Sequence, residues 1–296
     1  MKRTLSLIVM TAMLAAIAAA QTPAKTTPPA ATAKPATSAT PAAATTPAAP
    51  AGKKLPQAKT KEEYDAYQLA AAKATPAELE AAAADFAAKY PASDLRVSLL
   101  ANVMLQYQRK NDADKALEAA RKVLQVEGDN TMALVMASTL IAEKTRETDL
   151  DRDQRYTEAM TDAQKAVDTI DTGLLLPPTF TAQQVADAKG RLVSMAQEAM
   201  GMVELNRKND ASAETHFRAA LKASGGQADA TLYYRLALTQ DREKKYADAL
   251  QFANLAVQNS AGDPSVESLA KQERDRLTKL TVAAPAAKPA TTVPKK

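Results

Sequence analysis

The stretch Tyr107–Asn130, YQRKNDADKALEAARKVLQVEGDN, decides the fold. Within it Ala113, Ala116 and Ala120 are followed by the apolar pair Val123-Leu124. Offsets of three and four residues place them on one face of a helix. The same face returns three more times. It reads Tyr156, Ala159, Ala163, Ala166-Val167, then Asp210, Ala213, Phe217, Ala220-Leu221, then Tyr246, Ala249, Ala253, Ala256-Val257. A face that recurs implies helical units that bury their apolar sides only by stacking on one another.

Working outward, the chain breaks into helices at chemically sensible points. Thr75-Pro76-Ala77-Glu78 offers an N-cap, a first-turn proline and a capping-box glutamate. Thr181-Ala182-Gln183-Gln184 is a second capping box, and Asp263-Pro264 a third start signal. Pro91 stops the helix that begins at Pro76. Asn111-Asp112, Gly128-Asp129-Asn130, Asn209-Asp210 and Gly225-Gly226 supply turn chemistry. Helices are expected from Lys61 to Pro91, then over 94–110, 112–127, 130–144, 152–171, 181–207, 210–224, 227–243, 245–260 and 264–280. Ala116, Ala159, Ala213 and Ala249 are separated by 43, 54 and 36 residues. The excess falls at Thr145–Arg155 and at Leu174–Phe180, which read as extended loops.

The flanks are different. Lys2-Arg3, an apolar run from Leu5 to Ala20, and Ala18-Ala19-Ala20 read as a secretory signal peptide cleaved before Gln21. The expected location is therefore exported, periplasmic or secreted. No later segment is long and apolar enough to span a bilayer. Residues 21–60 are Pro, Ala, Thr and Lys with almost no bulky apolar side chains, which predicts a disordered linker. Residues 281–296 have the same character and predict a disordered basic tail. These segments hold ten basic residues and no acid, leaving 28 basic against 34 acidic residues in 61–280, a balance of about −6. That balance opposes a nucleic-acid-binding core. The basic tails suggest weak electrostatic contact with anionic envelope polymers, so an envelope-structural role stands as the alternative function.

Chemistry finds little footing. There is no cysteine, so disulfides and thiolate sites are excluded. His216 is the only histidine and sits beside Phe217 on an amphipathic helix, the position of a surface residue. Asp149, Asp151 and Asp153 have a calcium-like spacing but lack the central glycine and the terminal glutamate. No P-loop, dinucleotide fingerprint or nucleophile elbow occurs. No catalytic, cofactor or metal site is expected.

The repeated pattern resembles the tetratricopeptide repeat (TPR), a pair of antiparallel helices of about 34 residues. Tyr107, Ala116 and Leu124 match the family's aromatic, alanine and apolar positions, and Gly128 stands where proline is usual. Gly201 matches the close-packing glycine, with Ala213, Phe217 and Ala220 in register; Ala237, Tyr246 and Ala249 repeat the theme. Asp85–Ser93 resembles repeat ends of bacterial envelope proteins of this class. Gln197, Glu204 and Gln240 depart from the pattern, standing where bulky or aromatic residues are typical. The resemblance implies an all-α fold, an α-solenoid of antiparallel helix pairs over 61–280, with 264–280 as a capping helix. It implies a non-enzymatic scaffold binding a partner peptide or helix, from another envelope or exported protein, along the first helix of each pair. The family pattern assigns that groove to Leu105, Gln108, Met132, Val135, Met136, Thr139, Met195, Glu198, Met202, Tyr234, Leu238 and Arg242. Methionines suit a groove that adapts to apolar partners.

Overall fold

The computed structural model describes residue 53 and residues 55–283, apart from 178 and 227. The signal segment, most of the linker and the basic tail lie outside the described residues. Among the described residues every regular element is a helix. In chain order they are α1 (Lys61–Ala71), α2 (Pro76–Lys89), α3 (Leu95–Arg109), α4 (Ala113–Val126), α5 (Thr131–Lys144) and α6 (Arg152–Asp168). There follow α7 (Ile170–Gly173), α8 (Ala182–Asn206), α9 (Asp210–Ala223), α10 (Ala230–Arg242), α11 (Tyr246–Asn259) and α12 (Pro264–Ala283). Within each unit helices adjacent in the chain pack on one another in TPR-like fashion, as α1 on α2 and α3 on α4, and as α5 on α6 and α10 on α11. They form two compact units: residues up to 130 together with 169–186, and residues 131–168 together with 187 onward.

In the first unit the expected capping box at Thr75 and Glu78 starts α2. Leu79, Ala83 and Phe86 of α2, Leu99 and Val103 of α3, and Ala116, Ala120 and Val123 of α4 are all buried. Glu80 ties the three helices together. It accepts 2.7 Å hydrogen bonds from Tyr107 Oη and from Lys122 Nζ. The hydrogen bond to Glu80, reinforced by burial, pushes the Tyr107 phenol up to about 12. The last residues before α1 contact the first unit. Lys53 Nζ lies 2.7 Å from both Glu127 and Asp129, and Lys59 donates to the Ala92 carbonyl at 2.7 Å. Two acids at one turn hold a lysine that the linker alone could not fix. The second extended loop also belongs to this unit, with Gly173, Leu174 and Pro177 buried. Here the helix expected over 152–171 stops at Asp168, and α7 follows as a single turn. The expected capping box then opens α8: Gln184 N donates to Thr181 Oγ1, and Thr181 N to Gln184 Oε1.

The second unit shows the repeat most plainly. Ala159, Ala163, Ala213, Phe217, Ala220, Ala249, Ala253 and Ala256 are fully buried. In every copy of the pattern the first member of the apolar pair is buried and the second half-buried. The seam between α8 and α9 is closed by glycine. A Cβ on Gly201 would lie 2.5 Å from Phe217 Cε1, so only glycine lets the ring approach α8 this closely. Gly190 makes a second close approach, where a Cβ would sit 2.6 Å from the Ala223 carbonyl oxygen.

The turns repeat as strictly as the seams. Asn111, Lys208 and Lys244 have φ of 56°, 67° and 64°, the left-handed region. Each stands five residues before a seam alanine: Ala116, Ala213 and Ala249. Each turn has the same two closing bonds, for example Asp112 N to Tyr107 O and Asn111 N to Gln108 O. This is the Schellman end of a helix, used here three times to fold a second helix back on the first. The copy at Ala159 lacks it. Its helices are joined by the loop at 145–151, where Asp149 Oδ2 accepts from Arg146 N and Glu147 pairs with Lys208 at 3.0 Å. The acids with calcium-like spacing are engaged with arginine: Asp151 with Arg155 and Asp153 with Arg152. Asp263 caps α12 as expected, accepting from Ser265 N and Val266 N.

Candidate functional site: the face of α8 and α10

The residues assigned to a groove divide sharply by exposure. On α3, Leu105 and Gln108 are buried. On α5, Val135 is 0% exposed, Met136 1% and Thr139 9%, while Met132 is half-buried. For Leu105, Gln108, Val135, Met136 and Thr139 the groove assignment is therefore corrected. A side chain packed on all sides offers nothing to a partner. The reason lies in α5 itself, TMALVMASTLIAEK, in which every residue from Ala133 to Ala142 is buried. It is apolar all round, the mark of an enclosed helix rather than of one with a free face.

The remaining residues lie in the second unit. Met195, Glu198 and Met202 on α8 and Tyr234 and Leu238 on α10 are half-buried, and Arg242 is exposed. Met202 also packs against the cluster of Phe217, Leu232 and Leu236, and Tyr234 against Tyr233, Ala256 and Ala270. Arg242 pairs with Asp210 at 2.9 Å.

The two helices are joined by an ion pair. Arg235 Nη1 donates to Glu198 Oε2 at 2.9 Å, with side chains 17% and 16% exposed. Burial pushes the Glu198 carboxyl up to about 7, against the opposing pull of Arg235; Asp229 and Glu143 add to the rise. A carboxyl perturbed by desolvation and by like charges is a marker of functional surfaces. Arg235 was not among the residues named from sequence. It stands one position beyond Tyr234 and so falls off the stripe 234, 238, 242.

The departures from the family pattern are polar links between helices. Gln197 Oε1 lies 2.9 Å from His216 Nδ1. Burial pushes the His216 imidazole down, with Glu204 acting the other way. Glu204 accepts from Asn209 at 2.7 Å and from Arg207 at 3.1 Å, closing the α8–α9 turn. Gln240 is fully buried and donates to Glu214 Oε1 at 2.9 Å. Glu214 also receives Lys245 at 2.6 Å and Arg218 at 2.7 Å. Burial raises Glu214, but these hydrogen bonds outweigh it and hold the carboxyl at about 2. This hub links α9, α10 and the cap of α11 at Lys245. No signal of period or motif reveals it, because its members come from separate elements.

No family model and no curated protein matches the sequence. Among solved structures the chain is similar to a MamA RS-1 ArsTM double mutant, at 12% identity and a TM-score of 0.47, covering 69% of this chain and 96% of that one. It is similar to TTC0263, a thermophilic TPR protein of Thermus thermophilus, at 12% identity and a TM-score of 0.44, covering 71% and 98%. A tetratricopeptide repeat protein from Parabacteroides merdae ATCC 43184 aligns at 14% identity and a TM-score of 0.26, covering 72% and 96%. The TPR-like class of the fold stands on the recurring seams and turns described above.

Proposed function

We propose that this chain is an exported, non-enzymatic interaction scaffold that holds a segment of another exported or envelope protein on the face shared by α8 and α10. The observation that carries this reading is the set of half-buried Met195, Met202, Tyr234 and Leu238 on the two helices that the Glu198–Arg235 pair joins. Flexible thioethers, an aromatic ring and a leucine provide apolar area, and the ion pair provides polar orientation. The opening Lys2-Arg3 and the apolar run to Ala20 support export.

The test is affinity capture from the exported fraction with the intact chain and with Met195→Glu combined with Leu238→Glu. Loss of a specific partner, with cooperative unfolding retained, supports the face. Equal capture by both proteins removes it. N-terminal sequencing of the chain recovered from that fraction checks export: a start at Gln21 is expected, and a start at Met1 contradicts cleavage.

A further inference from the structure

Leu55 is the one bulky apolar side chain in residues 21–60. It lies half-buried, as do Pro56 and Ala58 beside it. A lysine follows on either side, Lys53 and Lys59, and each reaches a turn of the first unit. Lys53 Nζ is 2.7 Å from Glu127 Oε1 and 2.7 Å from Asp129 Oδ1. Lys59 Nζ donates to the Ala92 carbonyl at 2.7 Å, and Lys59 N donates to Glu63 Oε2 at 2.7 Å.

The two turns are built alike. After α2, Tyr90 N donates to Phe86 O at 2.8 Å and Ser93 N to Tyr90 O at 3.0 Å. After α4, Glu127 N donates to Val123 O at 2.8 Å and Asn130 N to Glu127 O at 3.0 Å. Ala92 and Asp129 therefore hold equivalent positions in the two turns. Each follows the C-terminal end of a helix, where backbone carbonyls gather partial negative charge and favour a cation. The second turn is also prearranged. Asn130, itself 5% exposed, donates through Nδ2 to Glu127 Oε2 at 2.6 Å, and the other carboxylate oxygen meets Lys53. Six residues of extended chain reach about 20 Å at most, enough to carry one lysine to each helix end.

We propose that these two turns form a binding site for lysine side chains on an extended segment, and that the chain's own stretch carrying Lys53, Leu55 and Lys59 is its occupant. The stretch acts as a strap. It moves the point at which the linker leaves the first unit from the start of α1 to the end of α4. Leu55 supplies apolar area and the two lysines supply register, through charge-assisted hydrogen bonds. Proline, alanine and threonine, which make up most of the linker, offer neither. The strap does not depend on the function proposed for α8 and α10.

The experiment is amine acetylation of the full-length chain at low salt, read lysine by lysine by mass spectrometry against the same chain in denaturing urea. Lys53 should react about fivefold more slowly in the folded chain. Glu127→Gln combined with Asp129→Asn should return Lys53 to its urea rate while Lys59 stays protected. Leu55→Ser, which alters only the strap, should also speed the reaction at Lys53, and it decides the matter where the double variant fails to fold. A folded wild type whose Lys53 reacts as it does in urea overturns the proposal. So does protection of Lys53 that survives the loss of Leu55, or of both acids in a folded chain.

Discussion

The second helices and the first helices of this molecule are built to different rules. In α4, α6, α9 and α11 the same apolar face recurs at the same positions, mostly as alanine, and it is buried in each. In α5, α8 and α10 no such uniformity exists. One is enclosed on all sides, one runs 25 residues with two close-approach glycines, and one carries an arginine against a half-buried acid. Contacts that recur make the fold; what differs between copies gives each helix a separate task.

The largest expected effects break the uniform side. Phe217 is fully buried against Gly201, so Phe217→Ala should cost about 3–5 kcal/mol in urea unfolding. Met136→Glu and Met195→Glu then sharpen the contrast between first helices. Met136 is 1% exposed, and a carboxylate there should cost more than about 3 kcal/mol, whereas at half-buried Met195 the cost should stay near 1 kcal/mol. Similar losses at both sites would erase the distinction between enclosed and open helices.

The Glu214 hub gives a pH-dependent effect of intermediate size. Its folded carboxyl titrates at about 2, below the ordinary 4.5. The stabilisation is therefore complete above about pH 4.5 and is lost as pH falls toward 2, by up to about 3 kcal/mol. Glu214→Gln should flatten that acid limb in thermal melts taken from pH 6 to 2. An unchanged limb would mean that other carboxylates dominate it. The smallest effects belong to the turns. Lys208→Gly and Lys244→Gly should each stabilise by about 0.5–1 kcal/mol, because glycine accepts the left-handed conformation without a Cβ clash. Asn111→Gly should give less, since asparagine already tolerates it.

Much of this was legible in the sequence, for a definable reason. Seam alanines, Gly201 with Phe217, and the caps at Thr75, Thr181 and Asp263 are local or periodic signals, and the structure has each of them. Gly190 was not legible, because no copy of the repeat has a counterpart to mark it. The enclosure of Val135 and Met136 was hidden as well. A family stripe treats every first helix alike, whereas the all-round apolar composition of α5 was the better guide. Arg235 lies beside the stripe, and Gln240 looked like a defect when it is a buried donor to Glu214. Partners drawn from separate helices leave no spacing to read.

The division of labour between seam and face is tested most directly by photocrosslinking in the native host. A benzophenone side chain replaces Leu238 on the face or, as control, Leu69, an exposed residue of α1. A discrete partner adduct at position 238 and none at position 69 is the predicted result. Equal labelling at both positions, or no adduct at 238 in a folded protein, would contradict the assignment of binding to α8 and α10.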